Sequence, residues 1–453
     1  MSLYPLTKRS SGILLHPTSL PSGKLDDDVY RWLDFLADSC QQVWQVLPLG
    51  IPAMGNSPYQ CLSAFAANPD LLPDSENHEM QQDDPAFLLW QQEQAHWLDD
   101  FVLYTQIKRL QNGSSWYDWP EPFRHRHEDA LKTFTRECHL RLQQQKWQQY
   151  QIHMTWQKVL QAAHERDIHL FGDMPIFVAH DSADVWAHQE NFLLDETGHS
   201  RWVTGVPPDY FSETGQRWGN PHYNWGVMVE RGFKWWLQRL QHHFQWFDLV
   251  RIDHFRGLEA VWMIDANCDT AIDGHWSRTP GDQLLARLQD QMGSIPLVAE
   301  DLGIITPEVT ALREKFKLPG MSILQFAFDA FEDNPHKPAN ITPDRIVYTG
   351  THDNNTTVGW FQSLLPHEQQ HVLDVLGISQ ADDIVDTMVS TAMHSQAILS
   401  VFPLQDILKL GPEARMNIPG DVGDHWQWQF DWSQITPDIA QKLKQVTHDA
   451  ERC

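Results

Sequence analysis

Basic side chains are scarce in this chain of 453 residues: 33 Lys and Arg stand against 60 Asp and Glu, a formal net charge of -27. Nucleic acid and anionic membrane surfaces are therefore poor partners, because every phosphate contact would form against a repulsive field. Cysteine is scarce too. The five, Cys40, Cys61, Cys138, Cys268 and Cys453, are scattered, odd in number and without C-x-x-C spacing. That pattern argues against a disulfide framework or a zinc knuckle, so all five are expected to be reduced and mostly structural. No apolar run approaches the length of a membrane span. Lys8 and Arg9 precede only the brief run Gly12 to Leu15, which His16 and Pro17 interrupt before it could act as a signal peptide. The expected location is cytoplasmic.

What is abundant is hydrophobic text, at 42%, and above all tryptophan, with 21 residues. The first predicts a globular chain with a large core. Tryptophan fills cores as well, but its flat face also stacks on sugar rings while its N–H stays free for a hydroxyl. Composition leans toward a neutral carbohydrate ligand, although many of these rings are expected simply to pack helices.

Eight short apolar runs of strand length punctuate the chain: Gly12–His16, Gln42–Pro48, Ile168–Ile176, Asp248–Asp253, Ile295–Asp301, Met321–Phe326, Arg345–Thr351 and Ala397–Phe402. Between most of them lie helical segments. Asp26 to Asp28 introduce the first, with Val29, Trp32, Leu33 and Leu36 as its apolar face and the acids at its positive end. Others are expected over Phe233–Trp246, Gly281–Met292, Pro307–Lys315, Pro366–Leu376 and Ile384–Ser395. Eight strands alternating with helices predict an α/β fold of the (β/α)8 TIM-barrel kind. A doubly wound open sheet is the alternative, but no Gly-rich phosphate turn follows the first strand. The rhythm breaks once. From about Leu62 to Arg166 the text is helical, over Asp84–Leu110 and Glu128–Arg166, which predicts an inserted helical subdomain at 62–166. Barrel strands 1–2 then occupy 1–61, and strands 3–8 occupy 167–453, including a long loop region at 181–232.

The stretch Phe247 to Gly257 begins as a buried strand and ends in Arg251, Asp253, His254 and Arg256. Taken alone, it reads equally as a buried ion-pair knot or as an active site. The other strand ends decide. Asp173 closes the third, Glu300 and Asp301 the fifth, and His352 and Asp353 the seventh, so a barrel would bring these acids to one mouth. Acids crowded in one cavity separate in pKa, which two-carboxylate chemistry requires. The pairs His180–Asp181, Asp253–His254 and His352–Asp353 also admit a metal-dependent hydrolase or isomerase. Against that, Arg251 and Arg256 flank the central Asp and would compete with a divalent cation, so the preferred reading is a site with no metal and no cofactor.

These strand ends sit within longer motifs: Ser11–Pro21, Trp44–Gly50, Asn56–Gln60, Gly172–Ile176, Gly205–Ser212, Arg251–Gly257, Ala299–Gly303, Gly350–Thr356 and Arg415–Gly420. In that order, over nearly the whole chain, the text resembles the 4-α-glucanotransferases, the amylomaltase or disproportionating-enzyme family of the α-amylase-like group. The resemblance implies a retaining transfer of α-1,4-glucan segments, with an α-1,4-glucan hydrolase as the alternative. It implies Asp253 as nucleophile, Glu300 as general acid/base and Asp353 as a third carboxylate on the distorting ring. Arg251 would hold Asp253, while Asp173, His254 and His352 would bind the same sugar. Tyr59 would offer a stacking face on the acceptor side with Ser57 and Gln60 nearby, and Trp218 and Asn417 would complete the substrate contacts. The loop containing Pro207–Phe211 and Arg217–Pro221 resembles one that arches over the cleft and would favour a sugar acceptor over water. The implied partners are α-1,4-glucans and maltooligosaccharides, with glucose as acceptor. Three departures stand out: the short Ser22–Asp28 loop, a compact chain, and Gly423-Asp-His-Trp426 where Gly-Asn-Trp is usual.

Overall fold

A computed structural model describes residues 6–53, 55–74, 80–208, 212–421 and 423–453. Twelve strands appear among them: β1 (Ser10–Leu14), β2 (Val43–Gln45), β3 (His169–Pro175), β4 (Trp202–Val206), β5 (Gln216–Pro221), β6 (Leu249–Asp253), β7 (Ala260–Asp265), β8 (Gly274–Arg278), β9 (Leu297–Ala299), β10 (Gly320–Ile323), β11 (Arg345–Tyr348) and β12 (Leu399–Pro403). Eight of them form one sheet, in the order β10-β11-β12-β1-β2-β3-β6-β9, and every pairing within it is parallel. These are the eight strands expected from sequence. The sheet curls until its two ends meet, where the Ala299 amide donates to the Pro319 carbonyl at 2.8 Å. The result is a nearly closed (β/α)8 barrel.

Side chains alternate across a strand, so each barrel strand feeds two cores. Leu14, Val43, Phe171, Leu249, Val298, Met321, Ile346 and Leu399 fill the interior. Their neighbours Ile13, Trp44, Leu170, Val250, Leu297, Val347 and Phe402 face the helical shell. The same alternation has a consequence at the upper end. Two residues on from Phe171, Leu249 and Val298, the inward positions are Asp173, Arg251 and Glu300. The barrel is thus apolar low down and charged at its mouth.

The helix over Asp27–Asp38 begins where the acids announce it, with the Asp26 side chain accepting from the Asp28 amide, and Val29, Trp32, Leu33 and Leu36 are buried. The segments Gly281–Met292, Pro307–Lys315 and Pro366–Leu376 are helical over the expected spans. Between β2 and β3, helices run over Pro85–Glu93, Ala95–Leu110 and Glu128–His164. The expected helix over Asp84–Leu110 is two helices, broken at Gln94, whose side chain accepts from the Trp97 indole at 2.8 Å. Many tryptophans lie in these layers: Trp32, Trp44, Trp116, Trp119, Trp156, Trp186 and Trp236 are fully buried. For those rings the carbohydrate reading of composition does not apply.

Two features run against expectation. The 181–232 region is not a plain loop, since β4 and β5 pair antiparallel and β4 also pairs with β7, which pairs with β8. A second sheet, ordered β5-β4-β7-β8, results; Asp209, Tyr210 and Phe211 of the expected aromatic cover lie outside the described residues. Cysteine is the second correction. Cys40 and Cys453 are joined in a disulfide, and only Cys61, Cys138 and Cys268 are free thiols. Their separation of 413 residues is why spacing gave no hint of it. No described helix is long and apolar enough to cross a membrane.

Candidate active site

β3 and β6 run side by side with Asp173 level with Arg251 and Pro175 level with Asp253. Arg251 and Asp253 are two residues apart on one strand and so share the inward face. The guanidinium bridges both acids, donating to Asp173 at 2.6 Å and to Asp253 at 2.7 Å. Burial works against the Arg251 charge, but Asp173 and Asp253 outweigh it and hold the group firmly protonated. Asp173 is fully buried; burial pushes its carboxyl upward and Arg251 opposes that. The ion-pair knot and the polar mouth are therefore one structure. Asp173 also accepts from the Tyr59 hydroxyl at 2.8 Å, while its buried Oδ1 has no partner among the described residues.

Glu300 follows β9, beside β6, and its amide donates to the Ile252 carbonyl at 3.1 Å. That places it on the strand next to Asp253, at the same level. Its carboxyl accepts from the amides of His254 at 2.7 Å and Leu302 at 3.1 Å. Burial pushes Glu300 up to about 8, the charge of Asp253 adds to the shift, and Arg251 and the two amides resist it. At neutral pH this carboxyl carries its proton. His254, at a positive φ of 56°, is driven down to about 4 by burial and is a neutral imidazole at pH 7.

Asp353 enters from the loop after β11. Asn417 donates to its Oδ1 at 2.7 Å, Arg415 holds its carbonyl at 2.7 Å, and His352 lies 3.4 Å from its other carboxyl oxygen. Half of the Asp353 side chain is exposed, so this acid faces the opening. Trp218, on β5, sets its ring edge-on to His254 with centroids 4.8 Å apart. The Tyr59 ring stacks on His352 at 5.1 Å and leans on Trp426 at 5.8 Å. One face of the Tyr59 ring is thus taken by His352. The Ser57 hydroxyl accepts from the Tyr59 amide at 3.4 Å and so shapes the loop that delivers Tyr59. Gln60 is tied to Asn220 at 3.2 Å.

Two residues had no role assigned from sequence. Trp426 stands in the departing Gly423–Trp426 text, and Arg415 opens a quoted motif; only long-range contacts with Tyr59, His352 and Asp353 give them a place. The pairs weighed as metal ligands are engaged otherwise. Asp181 accepts from Tyr104 and Lys108, His180 bonds the Gly198 carbonyl, and Asp253 faces Arg251. A His–His–Asp group with ligand-like spacing exists among the described residues at His164, His169 and Asp248. It lies where β3 and β6 begin, away from the mouth. Asp248 there already accepts from His164 and from the Leu170 amide.

Fold and site together define a (β/α)8-barrel enzyme whose mouth sets a protonated buried carboxyl beside an arginine-held carboxylate. The family model described as 4-alpha-glucanotransferase matches residues 14–73 and 71–434. The chain belongs to the 4-alpha-glucanotransferase family. The 4-alpha-glucanotransferase of Synechocystis sp. is 42% identical over 98% of this chain and 98% of that protein; that of Thermus thermophilus is 41% identical over 98% and 99%. The former alignment spans 493 positions against 453 residues here, so the relative carries segments that this compact chain lacks. Among solved structures, the amylomaltase from Streptococcus agalactiae in complex with acarbose superposes with a TM-score of 0.93 at 32% identity. That match covers 98% of this chain and 100% of that one.

Proposed function

We propose that the chain carries out 4-α-glucanotransfer by double displacement at Asp253, with α-1,4-glucans and maltooligosaccharides as donors and glucose or another oligosaccharide as acceptor. The observation that carries the mechanism is the split between two neighbouring acids: Glu300 is pushed up to about 8 by burial, while Asp253 accepts from Arg251 at 2.7 Å. Such a pair supplies a proton donor and a nucleophile at one pH. An Asp253 oxygen attacks C1 of the donor sugar, the glycosidic C1–O bond breaks, and its oxygen takes the Glu300 proton. The acceptor 4-hydroxyl then gives its proton to the Glu300 carboxylate and attacks C1, releasing Asp253. Asp353, held by Asn417, would bind hydroxyls of the ring as it flattens toward the oxocarbenium ion, with Asp173, His254 and His352 on the same sugar. Trp218 and Tyr59 line the approach.

Incubation of the protein with maltotriose is expected to yield glucose and a ladder of longer oligosaccharides. Accumulation of shorter sugars alone would make it a hydrolase instead. Asp253→Asn and Glu300→Gln are each expected to lower the rate by several orders of magnitude while circular dichroism stays unchanged. In the same reading, residues 62–166 form a helical insertion between barrel portions at 1–61 and 167–453. A cytoplasmic location accords with the free thiols of Cys61, Cys138 and Cys268, whereas the Cys40–Cys453 disulfide runs against it. Recovery of the chain outside the cytoplasmic fraction would overturn that assignment.

A further inference from the structure

Parallel ladders join every neighbouring pair of barrel strands except β9 and β10. β9 is laddered on one side only, to β6 through Leu297, Val298 and Ala299, and Glu300 stands directly after its last residue. The residue on which acid–base chemistry depends therefore sits at the end of the barrel's least-tied strand. Rigid elements hold a reacting group best, and a displacement of roughly 1 Å can lower a rate about a hundredfold. A single backbone hydrogen bond, from the Ala299 amide to the Pro319 carbonyl at 2.8 Å, spans that gap, so the rest of the tie must come from side chains.

Asp301 occupies that seam. Its buried carboxylate accepts from the Met321 amide of β10 at 2.8 Å. Arg345, at the start of β11, donates to both of its oxygens, at 2.9 and 2.7 Å, and to the Met321 carbonyl at 3.1 Å. Arg313, from the helix Pro307–Lys315, stands 3.5 Å away. One side chain thus connects the end of β9 to two further strands and a helix. Gly320 makes room for it. A Cβ there would lie 2.5 Å from Arg345 Nη1 and 2.5 Å from Asp301 Oδ2, so the ion pair fills the space that any other residue would need. Buried ion pairs are inefficient sources of stability, since desolvation offsets most of their attraction, whereas hydrophobic contacts serve a seam well. A charged seam next to Glu300 suits placement better than strength.

We propose that Asp301 is a positioning residue for Glu300: its carboxylate stands in for the missing β9–β10 ladder and fixes the strand end that aims the acid/base. The inference rests on the reading of Glu300 given above. Full-length Asp301→Asn and Gly320→Ala, the second disturbing the seam without touching the carboxylate chemically, are assayed with maltotriose over a pH series. Asp344→Asn is the control, because Asp344 pairs with Arg313 at 2.7 Å on the half-exposed side of the cluster. Both seam variants are expected to lose kcat about 10- to 100-fold with KM within about twofold of wild type. The alkaline limb of kcat/KM should also move to lower pH, because a Glu300 that leaves its buried seat returns toward the ordinary carboxyl range. Asp344→Asn keeps both wild-type values. A lowered Tm with wild-type kcat and an unmoved limb would overturn the proposal, leaving Asp301 as a staple. If Asp301→Asn does not fold, the same readouts on Gly320→Ala decide. Glu300→Gln measured alongside separates the two claims. Wild-type rates in that variant sink the reading of Glu300, whereas its inactivity combined with normal kinetics in the seam variants sinks only the positioning role.

Discussion

Glu300 shows how burial sets both function and a stability cost. Its folded pKa of about 8 lies above the ordinary carboxyl value of 4.5. Between those two values the unfolded chain has lost this proton and the folded chain retains it, so the folded state binds more protons and stability falls as pH rises. Glu300→Gln, which keeps the neutral shape, should therefore match wild type in Tm near pH 4.5 and exceed it progressively up to about pH 8. A constant difference across that range in calorimetry would contradict the shift. Activity should fall through the same upper limb as the acid ionises. Asn417 offers a second test. Its amide donates to the Asp353 carboxylate at 2.7 Å, and loss of a hydrogen bond to a charged group is worth about 1.5–3 kcal/mol. Asn417→Ala should lower the Tm modestly and, by letting Asp353 shift, lower kcat roughly 10- to 100-fold; an unaffected kcat would remove Asp353 orientation from its role. Asp173, Asp253, Glu300 and Asp353 could be singled out in the sequence because each follows an apolar run of strand length, and the expected barrel carries those strand ends to one mouth. Arg415 and Trp426 could not, since their meaning lies in what faces them across the mouth.

At the scale of elements, the eight barrel strands were legible because parallel strands buried on both faces appear as unbroken apolar text. The second sheet was not. β5 and β8 carry Gln216, Arg217, Gly274, His275 and Ser277 at half-buried or exposed positions, and such strands show neither an apolar run nor alternation. The pairing that joins the two hairpins, β4 with β7, also links strands distant in sequence. Helix ends with proline or acid signals were placed well, while the break at Gln94 has neither. The β1–β2 contact gives a prediction at this scale. A Cβ on Gly12 would lie 2.3 Å from the Val43 carbonyl oxygen and 2.6 Å from its Cβ. The obstacle is largely backbone, so overpacking of about 1–3 kcal/mol is expected in Gly12→Ala. Its Tm should drop by several degrees, and the kcat of the folded fraction should persist; an unchanged melting curve would mean that the strands separate freely there.

Over the whole molecule, the two ends of the described chain are fastened together. Arg452, fully buried, donates to the carbonyls of Ser10, Met393, Ser395 and Ala397 at 2.6 to 3.0 Å, and the neighbouring Cys453 is bonded to Cys40. Disulfides typically contribute about 2–4 kcal/mol, chiefly by restricting the unfolded chain. Reductant should therefore lower the Tm and leave kcat unchanged, and Cys40→Ser should melt at the reduced value under both conditions. Loss of activity on reduction would instead link this clasp to the mouth.

The pairing of β1 with β12, Ser10 beside Leu399, has a bearing on how the enzyme is made. Synthesis proceeds at about 5–20 residues per second, so β1 must keep one edge bare for tens of seconds until β12 is made. An unpaired apolar edge is a template for wrong association. Newborn copies of this chain should therefore depend on holding chaperones more than their finished stability suggests, and slower translation should lengthen that dependence.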